Sequence, residues 1–186
     1  MIFYSQLSSI GLNNVYLIGP EKGGEAVVID PGIFDTKLLE VVENNHLSIS
    51  CVLITHSHEA CTSGLKTIMK IYQPEIYSYR QEVLGFKSNK VRDFNKIKCG
   101  DYEFEVLETP GHTGDSICYR LNNYLFTGDA LLAGSIGSAP DDFSKALTVS
   151  SLKEKLLIFD ENFLIFPGHG PPSKLSIEKK LNPHLQ

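Results

Sequence analysis

An apolar, β-branched run, Cys51-Val52-Leu53-Ile54-Thr55, stops at two histidines one residue apart, His56 and His58. Bounded by small and polar residues, the run reads as a buried strand. Beyond a strand end, side chains two positions apart can turn to the same side, so both imidazoles can meet one ion. A histidine pair in a loop can equally be no more than solvated, and the rest of the chain bears on which it is. Pro110-Gly111-His112-Thr113 follows the strand-like Tyr102 to Leu107, and Thr127-Gly128-Asp129 follows Tyr124-Leu125-Phe126. Pro167-Gly168-His169-Gly170 follows Phe163-Leu164-Ile165-Phe166. Each time a short apolar strand ends in a small, bendable pair and delivers one possible metal ligand. Of the six histidines, only His46 and His184 lie elsewhere, in polar surroundings that read as exposed.

Together with Asp30-Pro31-Gly32, these motifs resemble the metallo-β-lactamase fold superfamily in its glyoxalase II-like branch, matching in order and spacing along nearly the whole chain. The ending, Pro167-Gly168-His169-Gly170-Pro171-Pro172 with Glu178-Lys179-Lys180 and Asn182-Pro183, is similar to the small hydrolases of that branch that lack an extra helical domain. The resemblance implies an α/β (α+β) fold, a four-layer αββα sandwich, as a single domain over residues 1–186. It also implies that His56, His58 and His112 hold a first metal ion, that Asp129 bridges toward a second, and that His169 belongs to the second. Asp30 is implied to support the metal loop from behind, orienting ligands without binding metal.

The departure from the family matters as much as the match. Its first motif is His-x-His-x-Asp-His, and here the last two places are Ala60 and Cys61. Two dications are normally opposed by two carboxylates and a hydroxide; with one carboxylate left, a second ion is expected to bind weakly or not at all. Cys61 could complete a three-ligand site with Asp129 and His169, because a thiolate is a good zinc ligand. Against this, its sulfur reaches less far than an imidazole nitrogen, and the alternative is a small residue filling space. Glu59 is the carboxylate nearest the vacated place but sits one position off, and reads as a solvated charge.

Three functions remain open. The first is a metal-dependent hydrolase, in which zinc on His56, His58 and His112 makes hydroxide available at neutral pH. Asp129 would orient the water and His169 would stabilise a developing oxyanion or hold a weak second ion. The resemblance implies a thioester, such as an acyl-glutathione, as the small-molecule substrate. Loss of the positioning carboxylate at Ala60 leads us to expect slow turnover. The second is oxidative: His56, His112 and Asp129 match the places that hold one Fe(II) in related persulfide dioxygenases. The third is a non-catalytic binding module on an old enzyme scaffold.

Composition narrows the surroundings. The chain has 186 residues, 42% hydrophobic and 21% charged, in the ordinary range of a soluble globular domain. A net charge of -5, with no long Lys/Arg cluster, argues against a nucleic-acid surface. Basic residues do gather locally between Lys87 and Lys98, and read as a solvated loop. No stretch approaches 18 apolar residues and the start shows no signal-peptide pattern, so a cytoplasmic protein without membrane contact is expected. The cysteines at 51, 61, 99 and 118 show no paired C-x-x-C spacing, which suits reduced thiols better than a disulfide framework. Oligomeric state leaves no visible mark.

The elements that must position the ligands follow in order. Met1 to Gln6 and Asn14 to Gly19 read as strands, and Glu25 to Ile29 pairs with the second through the turn at 21–24. Helical spacing of Leu38, Leu39, Val41 and Val42 predicts a helix from Asp35 to Asn44, and Gly64 to Tyr72 predicts another. Glu75 to Tyr79, Asp101 to Leu107, Ser116 to Leu121 and Tyr124 to Phe126 read as further strands, with Asn122-Asn123 as a tight turn. Ser150 to Phe159 reads as a helix starting at a Ser cap. After Asp129, relatives often carry Arg behind the Gly-Ser-Ile-Gly run; here it is Ser138.

Overall fold

A computed structural model describes residues 1–186. β1 (Ile2–Leu7), β2 (Asn14–Gly19) and β3 (Gly24–Ile29) form an antiparallel meander. Helix α1 (Thr36–Asn44) crosses to β4 (Leu47–Leu53), which lies parallel to β3. After α2 (Glu59–Thr62) and α3 (Leu65–Ile71), β5 (Glu75–Ser78) extends the sheet. A small hairpin, β6 (Glu82–Val83) and β7 (Phe86–Lys87), precedes β8 (Asn89–Lys90), which closes the first sheet in the order β1-β2-β3-β4-β5-β8. β9 (Lys96–Cys99), β10 (Tyr102–Glu108), β11 (Ile117–Leu121) and β12 (Tyr124–Gly128) build the second sheet. Helix α4 (Asp142–Lys155) returns the chain to β13 (Leu164–Pro167), parallel to β12, before β14 (Ser173–Lys174) and α5 (Leu175–Leu181).

The period-two alternation of the strands determines the layers. Tyr16, Ile18, Val27, Ile29 and Leu53 face Phe104, Val106, Ile117, Tyr119 and Phe126 across the space between the sheets. The alternate residues Val15, Leu17, Val28 and Val52 face outward, where Leu38 and Val42 of α1 and Leu65 and Ile68 of α3 cover them. On the second sheet Leu107, Leu125 and Ile165 pack beneath Leu152 of α4 and Leu175 of α5. These helical side chains are fully buried, each worth about 1.5–3 kcal/mol of apolar transfer. The result is the four-layer αββα sandwich. No helix is long and apolar enough to cross a membrane.

Three expectations need correction. Cys51 on β4 and Cys99 on β9 are joined as a disulfide, so these two are not free thiols; Cys61 and Cys118 are. The pair bridges the sheets, with Cα atoms 5.9 Å apart across a sequence separation of 48. Spacing along the chain carries no trace of that partnership, because it exists only once the sheets stack. The helix expected from Ser150 instead runs from Asp142, capped by Asp141, whose carboxylate accepts from the Ser144 N–H at 2.7 Å. Its first two turns hold few apolar residues, and it ends at Lys155 rather than Phe159. The strand before His56 spans Leu47–Leu53, earlier than the Cys51–Thr55 run. Ile54 and Thr55 continue in extended pairing outside it, Ile54 N–H to Tyr77 O and Ile117 N–H to Thr55 O.

Candidate metal centre

The turns that follow β4, β10, β12 and β13 gather at one end of the sandwich. His56, His58, His112 and Asp129 each bring a donor atom into a group whose members all lie within 4.8 Å of one another. His58 Nδ1 is 3.0 Å from His56 Nε2 and 3.2 Å from His112 Nε2. Asp129 Oδ2 is 3.7 Å from His56 Nε2 and 3.4 Å from His112 Nε2. A tetrahedral ion with bonds of roughly 2.0–2.1 Å has donor–donor edges of about 3.3–3.4 Å, so the four separations bracket that value.

Proton positions follow from the hydrogen-bond network. The Thr55 hydroxyl donates to Asp30 Oδ2 at 2.6 Å, so its oxygen accepts from His56 Nδ1 at 3.0 Å. The His56 Nε2 lone pair is thereby turned toward the centre. His112 Nδ1 donates to the Ser138 carbonyl at 2.6 Å, which turns its Nε2 lone pair inward as well. Three imidazoles and one carboxylate converge, a donor set that suits a divalent cation. Burial, reinforced by the neighbouring His112 and His58 and opposed by Asp129, pushes His56 down to about 4 and keeps it neutral at pH 7.

Asp30 stands behind the loop as expected. Its carboxylate accepts from the Thr55 N–H at 2.8 Å and from the hydroxyl, and it occupies a left-handed backbone conformation at φ 48°. Burial pushes Asp30 up to about 7 despite the two bonds from Thr55. Gly111, at φ 137°, lets the His112 turn rest on α4. A Cβ there would stand 2.0 Å from Thr148 Oγ1 and 2.3 Å from the Ser144 carbonyl. The polar, small-residue character that disguised the start of α4 is what permits this approach.

His169 and Cys61 lie outside the four-donor group. His169 Nδ1 meets Asp129 Oδ1 at 2.7 Å, and its Nε2 meets the Gly11 carbonyl at 2.9 Å, so both ring nitrogens are engaged. Burial pulls His169 down, but the hydrogen bond and charge of Asp129 outweigh it and leave it raised. The Cys61 thiol lies against the His56 ring, 3.7 Å from both nitrogens, and donates to Asn13 Oδ1 at 3.5 Å. Burial, aided by Asp30, Asp129 and Asp115, drives Cys61 far above the ordinary thiol range, so in the metal-free chain the thiol keeps its proton. Glu59 is exposed at the start of α2.

The segment 8–13 fills the region where the family's missing ligands would act. Asn14 N–H donates to Gly168 O at 2.7 Å, and its side chain donates to Pro167 O and Gly170 O at 3.0 and 2.8 Å. Ala60, partly exposed, touches two glycines: a Cβ on Gly11 would be 2.7 Å from the Ala60 methyl, and one on Gly32 would be 1.9 Å from the Ala60 carbonyl. The sequence reading missed the parts played by Gly11, Asn13, Thr55 and Ser138. Gly11 and Ser138 act through their carbonyls and Asn13 through an amide from the distant N-terminal loop, while Thr55, visible at the strand end, acts by a hydroxyl contact that forms only in the fold.

Comparison with known proteins agrees with this geometry. The profile of the metallo-beta-lactamase superfamily matches residues 10–89 and 88–169. An uncharacterised protein of Mycobacterium tuberculosis is 30% identical, covering 93% of this chain and 92% of its own length. A hydroxyacylglutathione hydrolase of Actinobacillus pleuropneumoniae is 31% identical over 68% of this chain, which spans 54%, about half, of that relative. Among solved structures, ETHE1 from Myxococcus xanthus superposes with a TM-score of 0.86 at 30% identity, covering 98% of this chain and 84% of that one. A metallo-beta-lactamase from Staphylococcus aureus superposes with a TM-score of 0.88 at 27% identity over 100% of this chain and 62% of its own. With the profile running from residue 10 to residue 169 and the turns that carry its ligands converging on one point, the chain belongs to the metallo-beta-lactamase superfamily.

Proposed function

We propose that the protein is a metal-dependent hydrolase of a thioester or related ester, working with one ion held by His56, His58, His112 and Asp129. The observation that carries this reading is the tetrahedral spacing of four donors, two of which, His56 and His112, have hydrogen-bond partners that turn their lone pairs inward. Likeness to a hydroxyacylglutathione hydrolase supports the substrate class. An ion such as zinc would supply Lewis acidity, lowering the pKa of water from 15.7 to about 7 and polarising the substrate carbonyl.

The chain's own residues do the rest. Asp129 divides its carboxylate, Oδ2 toward the imidazoles and Oδ1 toward His169, and orients the attacking water from that fixed position. His169, held at its far nitrogen by the Gly11 carbonyl, keeps Asp129 in place, and both of its ring nitrogens are committed to that task. With no carboxylate at Ala60 to position the water, turnover is expected to be about 10²-fold or more below that of relatives with the full motif.

The test is metal content per chain by elemental analysis on untagged protein, for wild type and Cys61→Ser, followed by a thioester panel. One zinc in both proteins with slow thioester cleavage is the expected result. Two zinc ions, falling to one in Cys61→Ser, would overturn the single-ion assignment. No metal at all would remove catalysis and favour a binding module. The approach of His56 and His112 to one oxygen of Asp129, two imidazoles and one carboxylate on one side, favours a second reading, oxidation at a single Fe(II). One iron per chain with oxygen uptake on glutathione persulfide would select it.

A further inference from the structure

The basic residues near Lys87–Lys98 are not all on an open loop. Lys90 and Arg92 join Tyr79, Arg80, Gly114 and Asp115 in the walls of a cleft of about 500 Å³. The cleft adjoins the metal ligands: Gly114 and Asp115 follow His112-Thr113 directly, and Tyr79, Arg80 and Asp115 also wall a narrow recess with His56 and Ser57.

Its cations are held in place but not used up. Buried Asp115 accepts from Arg80 Nε at 2.5 Å, while the two Nη atoms of Arg80 make no hydrogen bond. Arg92 stacks its guanidinium 3.9 Å from the Tyr79 ring centroid, and its Nη1 donates to Tyr79 O and Val91 O at 2.9 and 2.8 Å. Its Nη2 is unused, and Nε lies 3.9 Å from Glu108. Lys90 has no acidic partner. Glu82 is the one other acid in the cleft wall. In a chain with 22 acidic and 17 basic residues, composition alone gives no reason for three cations to share one concavity. Against Asp115 and Glu82 the three cations leave the wall with an excess of positive charge, and the unused guanidinium N–H groups suit carboxylate or phosphate geometry.

The geometry points to an anion subsite: Arg80, Lys90 and Arg92 receive a carboxylate or phosphate on the substrate, beside the centre that acts on its carbonyl. This rests on the hydrolase reading for its second arm and not for its first. In the first arm, metal-free protein is titrated with glutarate, inorganic phosphate and neutral glutaramide, using wild type and Lys90→Glu, an exposed position outside the metal group. Glutarate or phosphate should bind and the diamide should not, and Lys90→Glu should weaken the anion by about tenfold or more, as for loss of one charge-assisted bond. The tighter of the two anions identifies the group recognised. In the second arm, succinyl and butyryl thioesters of N-acetylcysteamine are compared with metal-loaded protein. Wild type should favour the succinyl thioester in kcat/KM by about tenfold, and Lys90→Glu should abolish that preference. No cleavage of either thioester would defeat the hydrolase reading while leaving the first arm to decide the subsite. Equal binding of glutarate and its diamide, no anion binding at millimolar concentration, or anion binding unchanged in correctly folded Lys90→Glu would overturn the proposal.

Discussion

Restoring the family's motif with Ala60→Asp and Cys61→His should not by itself install a second ion. The partly exposed Ala60 has its methyl group against Gly11 and its carbonyl against Gly32, and the Gly11 carbonyl occupies His169 Nε2. A carboxylate at position 60 needs the 8–13 segment to move. Overpacking of that kind costs about 1–3 kcal/mol, and loss of the His169–Gly11 bond about 0.5–1.5 kcal/mol more. For a chain of this size the combined cost of about 1.5–4.5 kcal/mol corresponds to a fall in Tm of roughly 3–18 °C in the metal-free state. A second ion at about 100 times its Kd returns only about 2.7 kcal/mol, so it should bind only in excess metal. The assay is metal content by elemental analysis after gel filtration, paired with calorimetry of metal-free protein. One ion per chain with a depressed Tm is expected. Two tightly held ions with wild-type Tm would refute the argument that the N-terminal segment has taken over the second site.

Further consequences follow from the same geometry. With Asp30 at about 7 in the folded chain against 3.8 in the unfolded, the folded state keeps a proton that the unfolded state loses, so metal-free stability should fall as pH rises from about 4 to about 7. The full effect is on the order of 4 kcal/mol. Asp30→Asn should flatten this slope in urea titrations, and identical slopes for the two proteins would count against it. His58→Ala removes an exposed donor, so metal affinity should drop by about 100-fold or more with the metal-free Tm unchanged; undiminished metal content would exclude His58 as a ligand. Gly111→Ala drives a methyl group into Ser144 and Thr148 at positive φ and should cost about 3 kcal/mol or more, read by calorimetry, with weaker metal binding as His112 shifts.

Sequence periodicity and strand-end motifs were enough to place most of the strands, α1 and α3, and the four turns that carry the donors, because each is specified by residues close together in the chain; β8 and most of β9 lie in the polar 87–98 stretch that reads as a loop, and their place at the sheet edges comes from long-range pairing. The change from His-x-His-x-Asp-His to His56-Ser57-His58-Glu59-Ala60-Cys61 likewise gave the expectation that a second ion binds weakly or not at all. What occupies the vacated space was decided by tertiary structure: Gly11 and Asn13 arrive from the N-terminal loop, and their contributions are backbone geometry and a buried amide. The Cys51–Cys99 bridge, the Asp141 cap and the gathering of Arg80, Lys90 and Arg92 against Asp115 belong to the same class. In the bridge and the cluster, partners far apart in sequence meet only when the sheets stack and the loops close over them. In α4, packing against the Gly111 turn selects small polar residues over the apolar stripe by which a helix is usually read.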